Sequence, residues 1–176
     1  MSALVDFPIR VSHGDDDVTN GAPAVPAVMA VPAGPVTVAQ RRSIASLLSQ
    51  AKCGLREAQC EPEPAQRYAT AYLAALRAAA AMLALRGRPH RGRARPASVW
   101  VLLTKLAPEM REWAVFFAAG SGTRAAVQAG VTSGVTQRAA DDLVRQAAQF
   151  ADLVDGAVHR CERPSRGRRP VVRAHT

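Results

Sequence analysis

Residues 64 to 86 constrain the fold of this chain more than any other stretch. Tyr68, Tyr72, Leu76, Ala80 and Leu83 recur every three or four residues, and Leu73 and Leu85 widen the apolar face. Alanines at 71, 74, 75, 78, 79 and 81 fill most of the remainder. Alanine has the highest helix propensity and leaves no side chain to hold neighbours apart, so the stretch predicts a helix against which other backbones pack closely. Glu61-Pro62-Glu63-Pro64 sets its start, where proline and acid suit the first turn, and Gly87 and Pro89 set its end.

The same periodicity recurs elsewhere. Thr37 is placed to cap a first helix with Ile44, Leu47 and Leu48 on its face, and Gly54 is expected to break it. A third helix spans Ala97 to Leu106 with Val99, Trp100, Leu103 and Leu106 on one side. Pro108 either kinks it or opens a fourth, in which Met110, Trp113, Ala114 and Phe117 repeat. Gly120 and Gly122 precede a short helix from Thr123 to Ala129, stopped by Gly130. A long last helix carries Val135, Ala139, Leu143, Ala147, Phe150, Val154 and Ala157 as one stripe.

No alternating segment reads as a strand. Aromatics are only 5% of the chain while apolar residues make up 48%, which suits helices packed through small side chains. The expected fold is therefore all-α, an antiparallel bundle of four to five helices over residues 37–160. A Pro/Ala-rich arm, 1–36, containing Asp15-Asp16-Asp17 and repeated prolines, is expected to be semi-extended and disordered. A basic tail, 161–176, with Pro164, Gly167 and Pro170 is expected to be disordered as well.

The net charge of +9 is concentrated in two segments. Arg86, Arg88, Arg91, Arg93 and Arg95, with His90 among them, form the connection before the third helix; Arg166, Arg168 and Arg169 lie in the tail with further arginines around them. Arginines on loops can contact phosphates without reading sequence, so these residues are the candidate contacts to RNA, DNA or an acidic partner. The plainer alternative is a solvated connector and tail. No aromatic sits among them to stack bases.

Other chemistry finds little footing. Cys53, Cys60 and Cys161 are odd in number and show no C-x-x-C spacing, which points to a reduced compartment and no disulfide framework. No metal or cofactor is expected, and His159-x-Cys161 has no second ligand pair. The first ten residues lack a signal-peptide pattern, Ala71 to Leu85 is short and interrupted by Arg77, and a cytoplasmic, non-membrane protein is expected. His13, His90, His159 and His175 fall in an arm, a loop, a helix end and a tail, so no catalytic residue can be named. Residues 123 to 138 offer an alternative, a helix-turn-helix, but Thr136 stands where an apolar anchor is wanted and the following helix has a continuous apolar stripe.

Three segments carry a family resemblance: Arg67–Ala81 (RYATAYLAALRAAAA), Trp113–Gly120 (WAVFFAAG) and Ala139–Ala147 (AADDLVRQA). On these the chain resembles the HEPN superfamily of helical bundles, in particular a small actinobacterial branch. The resemblance implies a helical bundle, a homodimer and work in nucleic-acid biology. Ribonucleases of that superfamily use an Arg with a His four to six residues later on one helix. Here the positions before His90 are Leu85, Ala84 and Leu83, and those before His159 are Val154, Leu153 and Asp152. The expectation is a binding or adaptor protein, with a ribonuclease using a non-standard site and a helix-turn-helix regulator as alternatives.

Overall fold

The structure, a computed structural model, describes residues 36–87 and 98–162. Helix α1 spans Val38–Cys60, α2 Pro64–Arg86, α3 Val99–Leu106, α4 Arg111–Ala119, α5 Ser121–Gln128 and α6 Gln137–Glu162, with a 3-10 turn at Pro108–Met110 before α4. The described residues contain no strand, and the fold is the expected all-α bundle. The arm up to residue 35 and the tail from residue 163 lie outside the described residues.

Local chemistry accounts for most helix ends. Thr37 caps α1, its hydroxyl accepting from the Gln40 amide at 3.2 Å, and Ser98 and Thr136 do the same for α3 and α6. Pro64 occupies the first turn of α2, where its missing N–H costs nothing. Pro108 opens the 3-10 turn rather than kinking α3. Gly130, at φ 86°, ends α5: its amide bonds the Val127 carbonyl at 3.0 Å and the Val131 amide bonds that of Ala126 at 2.9 Å, the paired bonds of a Schellman stop.

Several local expectations are corrected by packing. Gly54 does not break α1; the helix runs through it with Gly54 buried beside α2, and an added Cβ would sit 3.5 Å from the Ala74 Cβ and 3.3 Å from an Arg77 guanidinium nitrogen. Glycine costs a helix interior about 1 kcal/mol relative to alanine. Only the mobile end of Arg77 has to yield, so Gly54→Ala should stabilise the protein by roughly 0.5–1 kcal/mol, read as a higher urea midpoint. A lower midpoint would mean that α1 and α2 are too close even for a methyl group. Gly122 lies within α5, which starts two residues earlier than expected. On α6 the buried residue of the first turns is Ala140, not Ala139, and the stripe gains Val144, Ala151 and Val158.

Helix α2 is the centre of the molecule. Its alanines at 65, 71, 74, 75, 78, 79 and 81 are all fully buried, and α1 and α6 pack along it. By length and composition α2 alone among the described residues could cross a membrane, yet 56% of its most apolar window is buried inside the bundle. It therefore acts as a core helix, although Leu73 on its outer side is 37% exposed.

α1 and α2 form an antiparallel hairpin. The Arg67–Asp141 ion pair joins the starts of α2 and α6, so α6 runs in the same sense as α2 and against α1. That arrangement requires a long crossover, supplied by residues 87–136 with α3, α4 and α5. The crossover is locked by an aromatic cluster. Phe117 is fully buried, with its ring 5.0 Å from Trp100, 5.3 Å from Phe150 and 6.2 Å from both Trp113 and Tyr72. The Tyr72 hydroxyl accepts from the Trp100 indole N–H at 2.7 Å and lies 2.7 Å from both the Phe117 carbonyl and the Ser121 hydroxyl, so each buried polar atom has a partner. Beside it, burial pushes the Tyr68 phenol above its ordinary value, a rise that a hydrogen bond with Thr123 opposes.

Candidate functional site

The first and last long helices face each other across an open cleft of about 380 Å³. Helical periodicity puts Arg41, Ala45, Ser49, Lys52 and Arg56 on one edge of α1, and α6 contributes Asp155, Val158 and His159 opposite them. Ile44 and Leu48, both buried, form the floor. The cleft thus has an apolar base, a basic lip on α1 and a lip on α6 that carries Asp155 and His159.

Its electrostatics are one-sided. Arg41, Lys52 and Arg56 carry positive charge and Asp155 is the single carboxylate lining the cleft. Lys52 Nζ lies 2.9 Å from Asp155 Oδ2, while Arg41 and Arg56 make no ion pair among the described residues. His159 Nδ1 is 2.9 Å from the Asp155 carbonyl oxygen and 3.6 Å from its carboxylate. With Nδ1–H donating to that carbonyl, Nε2 is left as the ring's unprotonated nitrogen in the neutral form. The cleft therefore combines three cationic side chains, one carboxylate and one imidazole.

Little of this coincides with the residues that the sequence nominates. Arg86 is described: it ends α2, pairs with Glu109 across the crossover, and is one of two partly exposed partners in that bond. It serves the junction of α2 with the 3-10 turn. Arg88, His90, Arg91, Arg93 and Arg95 lie outside the described residues, as do Arg166, Arg168 and Arg169. His159 lies at a helix end, as expected, in the last turn of α6, and there it lines the cleft opposite α1. The missed signal was the run Arg41, Ala45, Ser49, Lys52, Arg56, a basic edge at helical spacing; its partner on α6 is a hundred residues away and no pattern announces it.

The helix-turn-helix alternative fares poorly. α5 and α6 are separated by residues 129–136, and α6 gives its apolar face to α2, with Leu143, Ala147, Phe150 and Val154 buried. A recognition helix needs an exposed face with its supporting helix behind it, whereas here the helix is itself a principal part of the core. The three cysteines are exposed and unpaired, and no group of metal-binding side chains occurs among the described residues.

A bundle whose central alanine-rich helix is flanked by a hairpin partner and a crossover-linked last helix, with a polar cleft at its side, defines a small all-helical domain. The model of the SAV_6107-like HEPN family matches residues 58–155, more than half of the chain, and the protein belongs to that family. No curated protein and no solved structure matches it. Arg41, Lys52, Arg56 and His159 all fall outside the matched residues, so family membership does not by itself assign the cleft.

Proposed function

We propose that this HEPN-like domain is a non-catalytic binding or adaptor module that holds nucleic acid by its phosphate backbone in the α1–α6 cleft. The observation that carries the reading is the set of three cations, Arg41, Lys52 and Arg56, facing a single carboxylate over an apolar floor. The Arg-rich connection beginning at Arg86 and the tail with Arg166, Arg168 and Arg169 add to the same electrostatic attraction. The cations lie along the side of a bundle helix and not on a helix presented to a groove, so the expected preference is for strand type and charge, not sequence. The exposed, unpaired thiols suit a reducing, cytoplasmic setting. A homodimer, which the family relationship implies, would display two such clefts.

A second reading has one specific observation in its favour. His159, held through Nδ1, stands in the same cleft as Lys52 and Arg56, the kinds of group that general-base attack on a phosphodiester and charge stabilisation require. One experiment separates the two. Purified full-length protein is incubated with labelled single-stranded RNA and with duplex DNA at two salt concentrations, and both retardation and cleavage are scored. Salt-sensitive retardation without cleavage is expected. RNA cleavage that disappears in His159→Ala would establish the ribonuclease reading, and failure to bind either nucleic acid would remove both.

A further inference from the structure

The two lips of the cleft differ in the hydrogen bonds they can make. Along α1, Arg41, Lys52 and Arg56 offer N–H donors, which suit phosphate oxygens. The groups on α6 are acceptors. An ionised carboxylate such as that of Asp155 can only accept, and His159, with Nδ1–H turned to the Asp155 carbonyl oxygen at 2.9 Å, presents Nε2, an acceptor in the neutral ring. A phosphodiester is an anion with no hydrogen to donate, so it has nothing to offer this lip.

The acceptors sit at the middle of the basic edge. Because α1 and α6 run antiparallel, the Lys52–Asp155 pair fixes which turns face each other: His159, one turn further along α6, stands opposite Leu48, one turn back on α1. The edge from Arg41 to Arg56 is about 22 Å long at 1.5 Å per residue, so cations lie on both sides of that point. Asp155 is held in place there. Lys52 donates to Oδ2 at 2.9 Å through one of its three N–H groups, whereas Oδ1 lies 3.6 Å from His159 Nδ1, beyond hydrogen-bond reach, and makes no hydrogen bond among the described residues. One carboxylate oxygen is thus fixed in position and open to a donor.

We propose, on the basis that nucleic acid lies in this cleft, that Asp155 selects ribose over deoxyribose, its Oδ1 accepting from a 2′-hydroxyl of a single strand whose phosphates lie on Arg41, Lys52 and Arg56. One row of cations matches one backbone. Base N–H donors change from nucleotide to nucleotide, whereas the 2′-hydroxyl is a donor carried by every nucleotide of RNA and by none of DNA. RNA therefore satisfies both lips whatever its sequence. A deoxy strand meets the same carboxylate with no hydrogen bond to offset the repulsion between carboxylate and phosphate.

The test titrates the full-length protein, at two salt concentrations, into three labelled single strands of one uracil-containing sequence that carry 2′-hydroxyl, 2′-hydrogen or 2′-fluoro sugars. RNA should bind about tenfold more tightly than the deoxy strand, the scale of one hydrogen bond to a charged group. The 2′-fluoro strand keeps an electronegative group but has no hydrogen to donate, and should bind like the deoxy strand. Both comparisons use the unaltered protein and do not depend on how a variant folds. Asp155→Ala should bring the RNA and deoxy affinities within about twofold of each other, and it should bind the deoxy strand more tightly than the unaltered protein does, because the carboxylate facing the phosphates is gone. Equal binding of RNA and deoxy strands, RNA-like binding of the 2′-fluoro strand, or a ribose preference that survives Asp155→Ala would each overturn the role of Asp155 while leaving the cleft as a nucleic-acid site. Failure to bind any of the three strands would overturn both.

Discussion

Phe117→Ala should lower the stability of the bundle by about 3–5 kcal/mol, the range for removing a fully buried aromatic side chain that its surroundings cannot close over. The reason lies in what surrounds it. Rings from α2, α3, α4 and α6, namely Tyr72, Trp100, Trp113 and Phe150, all lie within 6.2 Å of the Phe117 centroid, so no single neighbour can move in without abandoning another. A domain of this size has a total stability of only about 5–15 kcal/mol, so the substitution removes a large share of it. With a urea dependence of about 1–3 kcal/mol per molar, the unfolding midpoint should fall by roughly 2 M with little change in slope. Phe116→Ala, at a half-buried neighbouring site, should cost distinctly less. Equal losses at the two positions would show that the cluster is not what anchors the crossover to the bundle.

The largest functional effect is expected from Arg41→Gln, Lys52→Gln and Arg56→Gln together. Each phosphate contact on a single strand contributes about 0.7 to the slope of log affinity against log salt, so losing three should reduce that slope by about 2 and weaken RNA binding about a hundredfold at 0.1 M salt. All three side chains are exposed, and glutamine keeps much of each aliphatic stem, so the fold should be unaffected. Arg138→Gln with Arg145→Gln is the proper control, since these lie at the opposite end of α6 beside Asp142 and outside the cleft. If the control pair lowers the slope as much as the cleft variant, binding is a diffuse property of the surface and the cleft has no special role.

Much of the architecture was legible from the residues. The alanine-rich period from Pro64 to Arg86, the Thr37 cap, the Pro64 start and the Gly130 stop are written in local spacing and backbone preference, and each appears in the structure. The errors share a cause. Intrinsic preference marks glycine as a breaker and leucine as core, and tertiary context reverses both: packing against α2 carries α1 straight through the buried Gly54, and the outer side of α2 is left open at Leu73.

The candidate site was hardly legible at all. Charge density drew attention to Arg86 through Arg95 and to the tail, because clustered arginines are conspicuous in a linear sequence. Arg41, Lys52 and Arg56 are spread over sixteen residues and become a cluster only when wound into a helix.

By itself, then, the sequence determined that the chain forms helices, where most of them start and stop, and that one of them forms the core, since these follow from propensity and periodicity within a few turns. Which helices lie side by side was decided only in three dimensions. Lys52 and Asp155 meet at 2.9 Å across a separation of 103 residues because the crossover through α3, α4 and α5 returns α6 against α1, and that return depends on the joint packing of Tyr72, Trp100, Phe117 and Phe150. A contact fixed by the simultaneous fit of four elements leaves no periodic trace in any one of them.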